Sequence, residues 1–201
     1  MPALRAAEVT AFHDQRHAIA GWAKGGGQDF PAGHWNAIED NHRFNCLLWD
    51  EEDLARRRNV ADAEIAKNKR AIDGFNQKRN DAIERIDEHL LQALDMKSAS
   101  RLSSETPGAM CDRLSILSLK IHHMRLQTLR GDVDAAHIEN CRLKLDRLNE
   151  QRRDLAACLD RLLAECASGE SHFKVYRQFK MYNDPALNPA IYNESKRPTR
   201  S

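Results

Sequence analysis

Apolar residues recur at alternating steps of three and four along four long segments of this chain, a pattern that admits little but a bundle of helices. The cleanest seam is Ile138, Cys141, Leu145, Leu148, Arg152, Leu155, Leu159, Leu162 and Cys166, on a helix expected over 134–167. A second, expected over 107–125, is Met110, Leu114, Leu117, Ile121 and Met124. The helix expected over 61–94 carries Ile65, Lys69, Ile72, Asn76, Arg79, Ile83, Ile86 and Leu90. That over 34–58 carries Ile38, His42, Asn45, Trp49, Glu52 and Arg56. Period-two alternation is not sustained anywhere, so strands have little to form from. The fold class is all-α: an antiparallel bundle of four long helices, with a shorter N-terminal helix over 3–23 and an extended aromatic tail.

Local punctuation agrees with these segments. The glycine run 25–27 and Pro31 break the first helix, and without a following Gly-Lys-Ser/Thr the run is a loop rather than a phosphate cradle. Thr106 followed by Pro107 reads as an N-cap with proline at the first helical position. Gly131 and Asp132 mark a turn, and Gly169 reads as a C-terminal cap. Beyond it, Phe173, Tyr176, Phe179, Met181, Tyr182 and Tyr192 are too aromatic for a disordered tail. We expect one domain over 1–194, with 170–194 docked as a clasp that brings Arg177 and Lys180 toward the bundle centre, and a frayed 195–201.

Composition narrows the function classes. Thirty-one basic and thirty acidic residues leave a net charge of +1, which gives no basic face for duplex nucleic acid. A mean hydropathy of -0.68 and the lack of a long apolar run speak against a membrane span. The first residues carry no apolar core of a signal peptide, so the chain reads as cytoplasmic. Cys46, Cys111, Cys141, Cys158 and Cys166 form no Cys-x-x-Cys pair and read as small hydrophobes rather than zinc ligands.

The seams are not purely apolar, and that is where function enters. His42, Asn45, Glu52 and Arg56 occupy one seam with Asp53 beside it; Asn76 and Arg79 occupy the next, with Asp73 and Asn80 adjacent. Asp112, Arg113, Lys120 and His123 fall within the widened apolar arc of 107–125, and Gln151 and Arg152 lie on the last helix. Buried unpaired charge costs several kcal/mol, so such groups must meet one another or a ligand. Three readings stay open: a closed structural network, a pocket, and an open face that meets a partner. In a pocket, Arg56, Arg79 and Lys120 suit an anion, and His42, Glu52, Asp53 and Asp112 are the acid/base candidates. Ser115 and Cys111 read as packing residues.

No metal or cofactor is expected. Glu39 with His42 matches the Glu-x-x-His pair of di-metal bundles once, Asp134 with His137 only in part, and the bridging glutamates are missing. His13 and His17 stand at i and i+4 without a third ligand nearby and read as a surface pair.

Four longer motifs carry a family resemblance. They are 48–56 (Leu48-Trp49-Asp50-Glu51-Glu52-Asp53-Leu54-Ala55-Arg56), 72–81 from Ile72 to Asp81, 107–121 from Pro107 to Ile121, and 176–184 from Tyr176 to Asp184. Together they resemble the bacterial domain-of-unknown-function family numbered four-two-five-four, over about 34–192. The family has no assigned activity. Its genes often lie beside glycosyltransferase genes of lipopolysaccharide and surface-polysaccharide clusters, so the resemblance implies a role in that assembly. The leading expectation is a polar bundle centre holding an anionic or sugar-phosphate ligand, with His42, Asn45, Glu52, Asp53, Arg56, Asn76, Arg79, Asn80, Asp112, Lys120, Arg177 and Lys180 as candidate binding residues. The alternatives are a non-enzymatic partner of a glycosyltransferase with a purely structural network, and a small helical enzyme of chorismate-mutase-like architecture. The heptad spacing is also compatible with a homodimer.

Overall fold

The computed structural model describes residues 4–25, 29–94, 101–179, 181 and 184–194. Seven helices are found among them: α1 (Ala6–His17), α2 (Trp22–Gly25), α3 (Gly33–Ala55), α4 (Asp62–Ala93), α5 (Pro107–Thr128), α6 (Ala135–Ser168) and α7 (Pro189–Glu194). Two-residue strands β1 (Arg101–Leu102) and β2 (Ser171–His172) pair in parallel. The helix ends follow from their caps. Thr106 Oγ1 accepts the Ala109 N–H at 3.2 Å to start α5, and Asp134 Oδ1 accepts the His137 N–H at 2.7 Å to start α6. Gly169 closes α6 at φ +81°, a left-handed conformation open to glycine at no steric cost.

Two hairpins build the bundle. In the first, Asn68 donates to Glu51 at 2.7 Å and Arg85 pairs with Asp40 at 2.8 Å, so α3 and α4 run antiparallel. In the second, α6 returns along α5. α5 is the central helix: it meets α1, α3, α4 and α6, and is therefore buried around most of its circumference. Gly108 permits its closest approach, since a Cβ there would stand 2.5 Å from the Ile83 carbonyl oxygen of α4. The core gathers Val9, Phe12, Ile38, Ile86, Leu114, Leu159 and Phe173 from five helices and the start of the tail. No described helix is long and apolar enough to cross a membrane.

Several expectations are corrected. The N-terminal helix stops at His17, and a separate turn of helix follows at Trp22. His13 is fully buried rather than a surface residue, because α1 lies across α3 and α5. Arg113 and Lys120 are exposed; the arc of α5 that faces inward is centred instead on Leu114, Ser115 and Ser118, all three fully buried. Among the described rings of the tail from 173 to 179 the first alone is buried, and beyond it Arg177 and the Gln178 N–H hold the tail to α4. Phe173 is 1% exposed, but Tyr176 is 62% and Phe179 87% exposed, so the aromatic clasp ends soon after β2. Lys180, Tyr182 and the segment 195–201 lie outside the described residues.

Candidate functional site

The polar residues of α3 and α5 meet because their spacings match. Asn41 and Asn45, one turn apart on α3, face Asp112 and Ser115, one turn apart on α5. Asp112 Oδ1 accepts from Asn41 Nδ2 at 2.8 Å and from Asn45 Nδ2 at 2.9 Å. Asn45 Nδ2 also donates to Ser115 Oγ at 3.0 Å, and Ser115 Oγ lies 2.8 Å from His42 Nδ1. All five side chains are buried, so the satisfied bonds offset a desolvation cost that would otherwise disfavour the fold. Ser115, expected to serve only in packing, is thus a central member of the network.

Toward the C-terminal end of α3 the same seam passes from buried to open. Asn45 is buried, Trp49 and Glu52 are half-buried, and Arg56 is exposed. There the helices splay around a cavity of ≈ 350 Å³, lined by Asn45, Trp49, Glu52, Asp53, Arg56, Asn76 and Arg79 together with Leu48, Ile116 and Leu119. Arg79 Nε stands 3.8 Å from Asp112 Oδ1, close enough for an ion pair and too far for a hydrogen bond. It is buried without a hydrogen-bond partner among the described residues, while Nη2 donates to Asn80 Oδ1 at 3.3 Å. Arg56 folds back on its own helix, 3.0 Å from Glu52.

The remaining candidate residues lie outside this cavity. Lys120 borders an adjoining groove that shares Trp49 and Asp53 with it. His42 is fully buried behind Ser115, outside the cavity lining, and Asn80 is buried beside Arg79. Arg177 pairs with Glu84 and Glu88 of α4, away from the cavity lining. Lys180 is outside the described residues.

A second polar concentration was missed by the helical wheels. Where α1 crosses α3 and α5, His13 stacks on His42 with ring centroids 4.4 Å apart, and His17 stacks on His122 at 4.7 Å. Burial, then the neighbouring His17, lowers the His13 pKa to about 3; burial, then His122, lowers that of His17 to about 4. His42 is likewise held well below its ordinary value by burial, and burial pushes the Cys46 thiol up to about 12. These side chains are therefore neutral near pH 7. His17, His42 and Cys46 each bring one ligand-type atom within 4.8 Å of the others. The available signal was a pair of i, i+4 repeats, His13/His17 and His42/Cys46. Their separation in the chain concealed that α1 lays one against the other.

The sequence marks Glu39 only as a metal-ligand candidate and Arg43 not at all; both are buried because the segment before α3 folds over what the wheel treats as an outer face, whereas Asp40 is buried against Arg85 of α4. The Glu39 carboxylate accepts the Asp29 N–H at 3.0 Å and the Phe30 N–H at 3.2 Å, so it fixes that segment in place. Its burial is structural in origin.

With this geometry in view, a family model for "Protein of unknown function (DUF4254)" matches residues 35–175. The chain belongs to that family. The match spans α3 through β2, and so contains the α3–α5 network and the cavity while leaving α1 outside. No curated protein and no solved structure gives a significant match.

Proposed function

We propose that the chain binds a sugar phosphate, or a closely similar anionic ligand, in the cavity between α3, α4 and α5, and that it serves cytoplasmic steps of surface-polysaccharide assembly. The observation that carries this reading is Arg79. A guanidinium at a cavity wall, whose buried Nε has no hydrogen-bond partner among the described residues, is a ready donor to a phosphate or carboxylate oxygen. Asp112 orients it without occupying it, since Oδ1 already accepts from two amides. Arg56 at the rim supplies a second cation. Glu52, Asp53 and Asn76 suit the hydroxyl groups of a sugar, and a bare phosphate would meet carboxylates with no use for it. The envelope role rests on the resemblance to a family whose genes accompany glycosyltransferases.

Calorimetric titration of the full chain with a hexose 1-phosphate, the free hexose and inorganic phosphate tests the reading. The hexose phosphate should bind saturably at one site, and Arg79→Gln should weaken it by about tenfold or more, the ~1.4 kcal/mol of a lost charge-assisted contact. Failure of the hexose phosphate to bind, or equal affinity in Arg79→Gln, contradicts it. A second reading, a non-enzymatic partner of a glycosyltransferase, is favoured by the exposed rings of Tyr176 and Phe179. It predicts that Phe179→Ala loosens that association and leaves ligand binding intact.

A further inference from the structure

Two pairs of side chains, each one helical turn apart, face each other where α1 crosses α3: His13 and His17 on one side, His42 and Cys46 on the other. Residues at i and i+4 project from one face of a helix, which is how helices present two ligands to one metal ion. We propose that His17, His42 and Cys46 form a site for a divalent transition metal of the zinc class, with a fourth coordination position left open.

The distances suit this. In a tetrahedral site with Zn–N near 2.0 Å and Zn–S near 2.3 Å, nitrogen and sulfur ligands stand ~3.6 Å apart. His42 Nε2 and Cys46 Sγ are 3.8 Å apart, and all three ligand-type atoms fall within 4.8 Å, a span that small side-chain rotations close. Two imidazoles and a thiolate, the Cys46 thiol releasing its proton to solvent as the metal binds, are a donor set for zinc, copper or cobalt rather than for magnesium or calcium, which take oxygen.

The groups behind His17 select the right tautomer. Ser118 Oγ donates to the Asp14 carboxylate at 2.9 Å, so toward His17 Nε2, at 3.1 Å, that hydroxyl accepts. The hydrogen of His17 is thereby fixed on Nε2 and the lone pair left on Nδ1. Arg152, 2.7 Å from Asp14, completes an arginine–carboxylate–serine–histidine chain. On the other ligand, Ser115 Oγ lies 2.8 Å from His42 Nδ1 and also accepts from Asn45 Nδ2; it can take the Nδ1 hydrogen when Nε2 binds metal in place of the bond that His42 makes to the His13 backbone. Metal-bound histidines are held by such outer hydrogen bonds from the ring nitrogen away from the metal.

An independent observation points to the same place. His13 is fully buried against His42, and neither of its ring nitrogens has a hydrogen-bond partner among the described residues. Phenylalanine would fill that space without an unmet polar group. An imidazole stacked on a metal ligand, by contrast, can swing a nitrogen toward the open position. The site is reachable, since His17 and Cys46 are only partly buried.

The test uses Co²⁺ and Zn²⁺ with the full reduced chain. One equivalent of Co²⁺ should give ligand-field bands of tetrahedral cobalt together with a thiolate-to-cobalt charge-transfer band, and Zn²⁺ should displace it. Cys46→Ser should abolish the charge-transfer band, whereas Cys158→Ser, at the exposed cysteine, should leave it unchanged. His17→Ala should weaken Co²⁺ binding by at least about tenfold. Circular dichroism of each variant establishes that it is folded, and should His42→Ala prove unfolded, Cys46→Ser still decides the matter. An octahedral cobalt spectrum with no thiolate band, or a band that survives Cys46→Ser, overturns the proposal. The cobalt bands report on the metal site, and hexose phosphate binding is read separately at Arg79 of α4.

Discussion

Asp112 does more than any other single side chain to hold the bundle centre in register. Its Oδ1 receives both asparagine amides of α3 and faces Arg79 of α4, so one carboxylate joins three helices. Asp112→Ala would leave two buried amides and a guanidinium without their acceptor, at a cost of about 3 kcal/mol. Urea unfolding of the variant measures it directly. Asp112→Asn, which keeps an oxygen for one amide and loses the charge facing Arg79, should cost less. A full-size loss with asparagine would mean that charge, not hydrogen bonding, dominates. At this scale the sequence was half legible. Polar residues on apolar seams announced Asn45, Arg79 and Asp112. Ser115 and Asn41 gave no comparable signal, because a serine or asparagine beside a seam looks the same whether it faces solvent or a partner.

Among the elements, α4 and α5 approach closely at Gly108, a contact open to a direct test. A methyl group at Gly108 would meet the Ile83 carbonyl oxygen at 2.5 Å and Asp87 Oδ1 at 2.8 Å, and backbone cannot step aside as a side chain can. Gly108→Ala should therefore destabilise the protein by about 2 kcal/mol, read as a fall in urea midpoint. The same contact sets a pH dependence. Burial, opposed by hydrogen bonds from Thr106 and the Gly108 N–H and reinforced by Glu84 and Glu88, raises the Asp87 pKa from 3.8 to about 6; Cys111 of α5 is the further titratable group facing it. The folded chain thus holds a proton that the unfolded chain has released. Its contribution to stability is greatest below about pH 4 and is lost as pH rises to about 6, by ~3 kcal/mol at most. Asp87→Asn removes that slope, so its stability relative to the parent should rise across this window; a constant difference between pH 4 and 7 would contradict the assignment. The long helices were legible to within a few residues because their periodicity and caps agree. The end of α1 at His17 and the crossing of α1 over α3 were not, since a short helix with few apolar residues leaves its packing direction to tertiary contacts.

The whole molecule has one closed end and one open end. At the closed end Phe173 enters the core, β1 pairs with β2, and Arg177 holds Glu84 and Glu88. Phe173→Ala should cost about 3 kcal/mol or more, whereas Phe179→Ala, at an 87% exposed ring, should change stability by less than about 0.5 kcal/mol. A similar loss from both would restore the longer clasp expected from the aromatic content of the tail. At the open end α3, α4 and α5 line the cavity, whose wall was more legible in the sequence than its extent. Wheels of separate helices brought Asn45, Glu52, Arg56, Asn76 and Arg79 together, but could not place Lys120 in the next groove. The account turns on whether Arg79 meets an anion there. The most direct measurement is an NMR titration of the full chain with a hexose 1-phosphate, following the Arg79 Nε–H and the Trp49 indole. The account predicts that both resonances shift saturably, with the Arg79 Nε–H moving as it gains a hydrogen-bond acceptor, and that Arg79→Gln abolishes the Trp49 shift. An Arg79 Nε–H unmoved at saturating ligand, or shifts confined to residues outside the cavity, would contradict it.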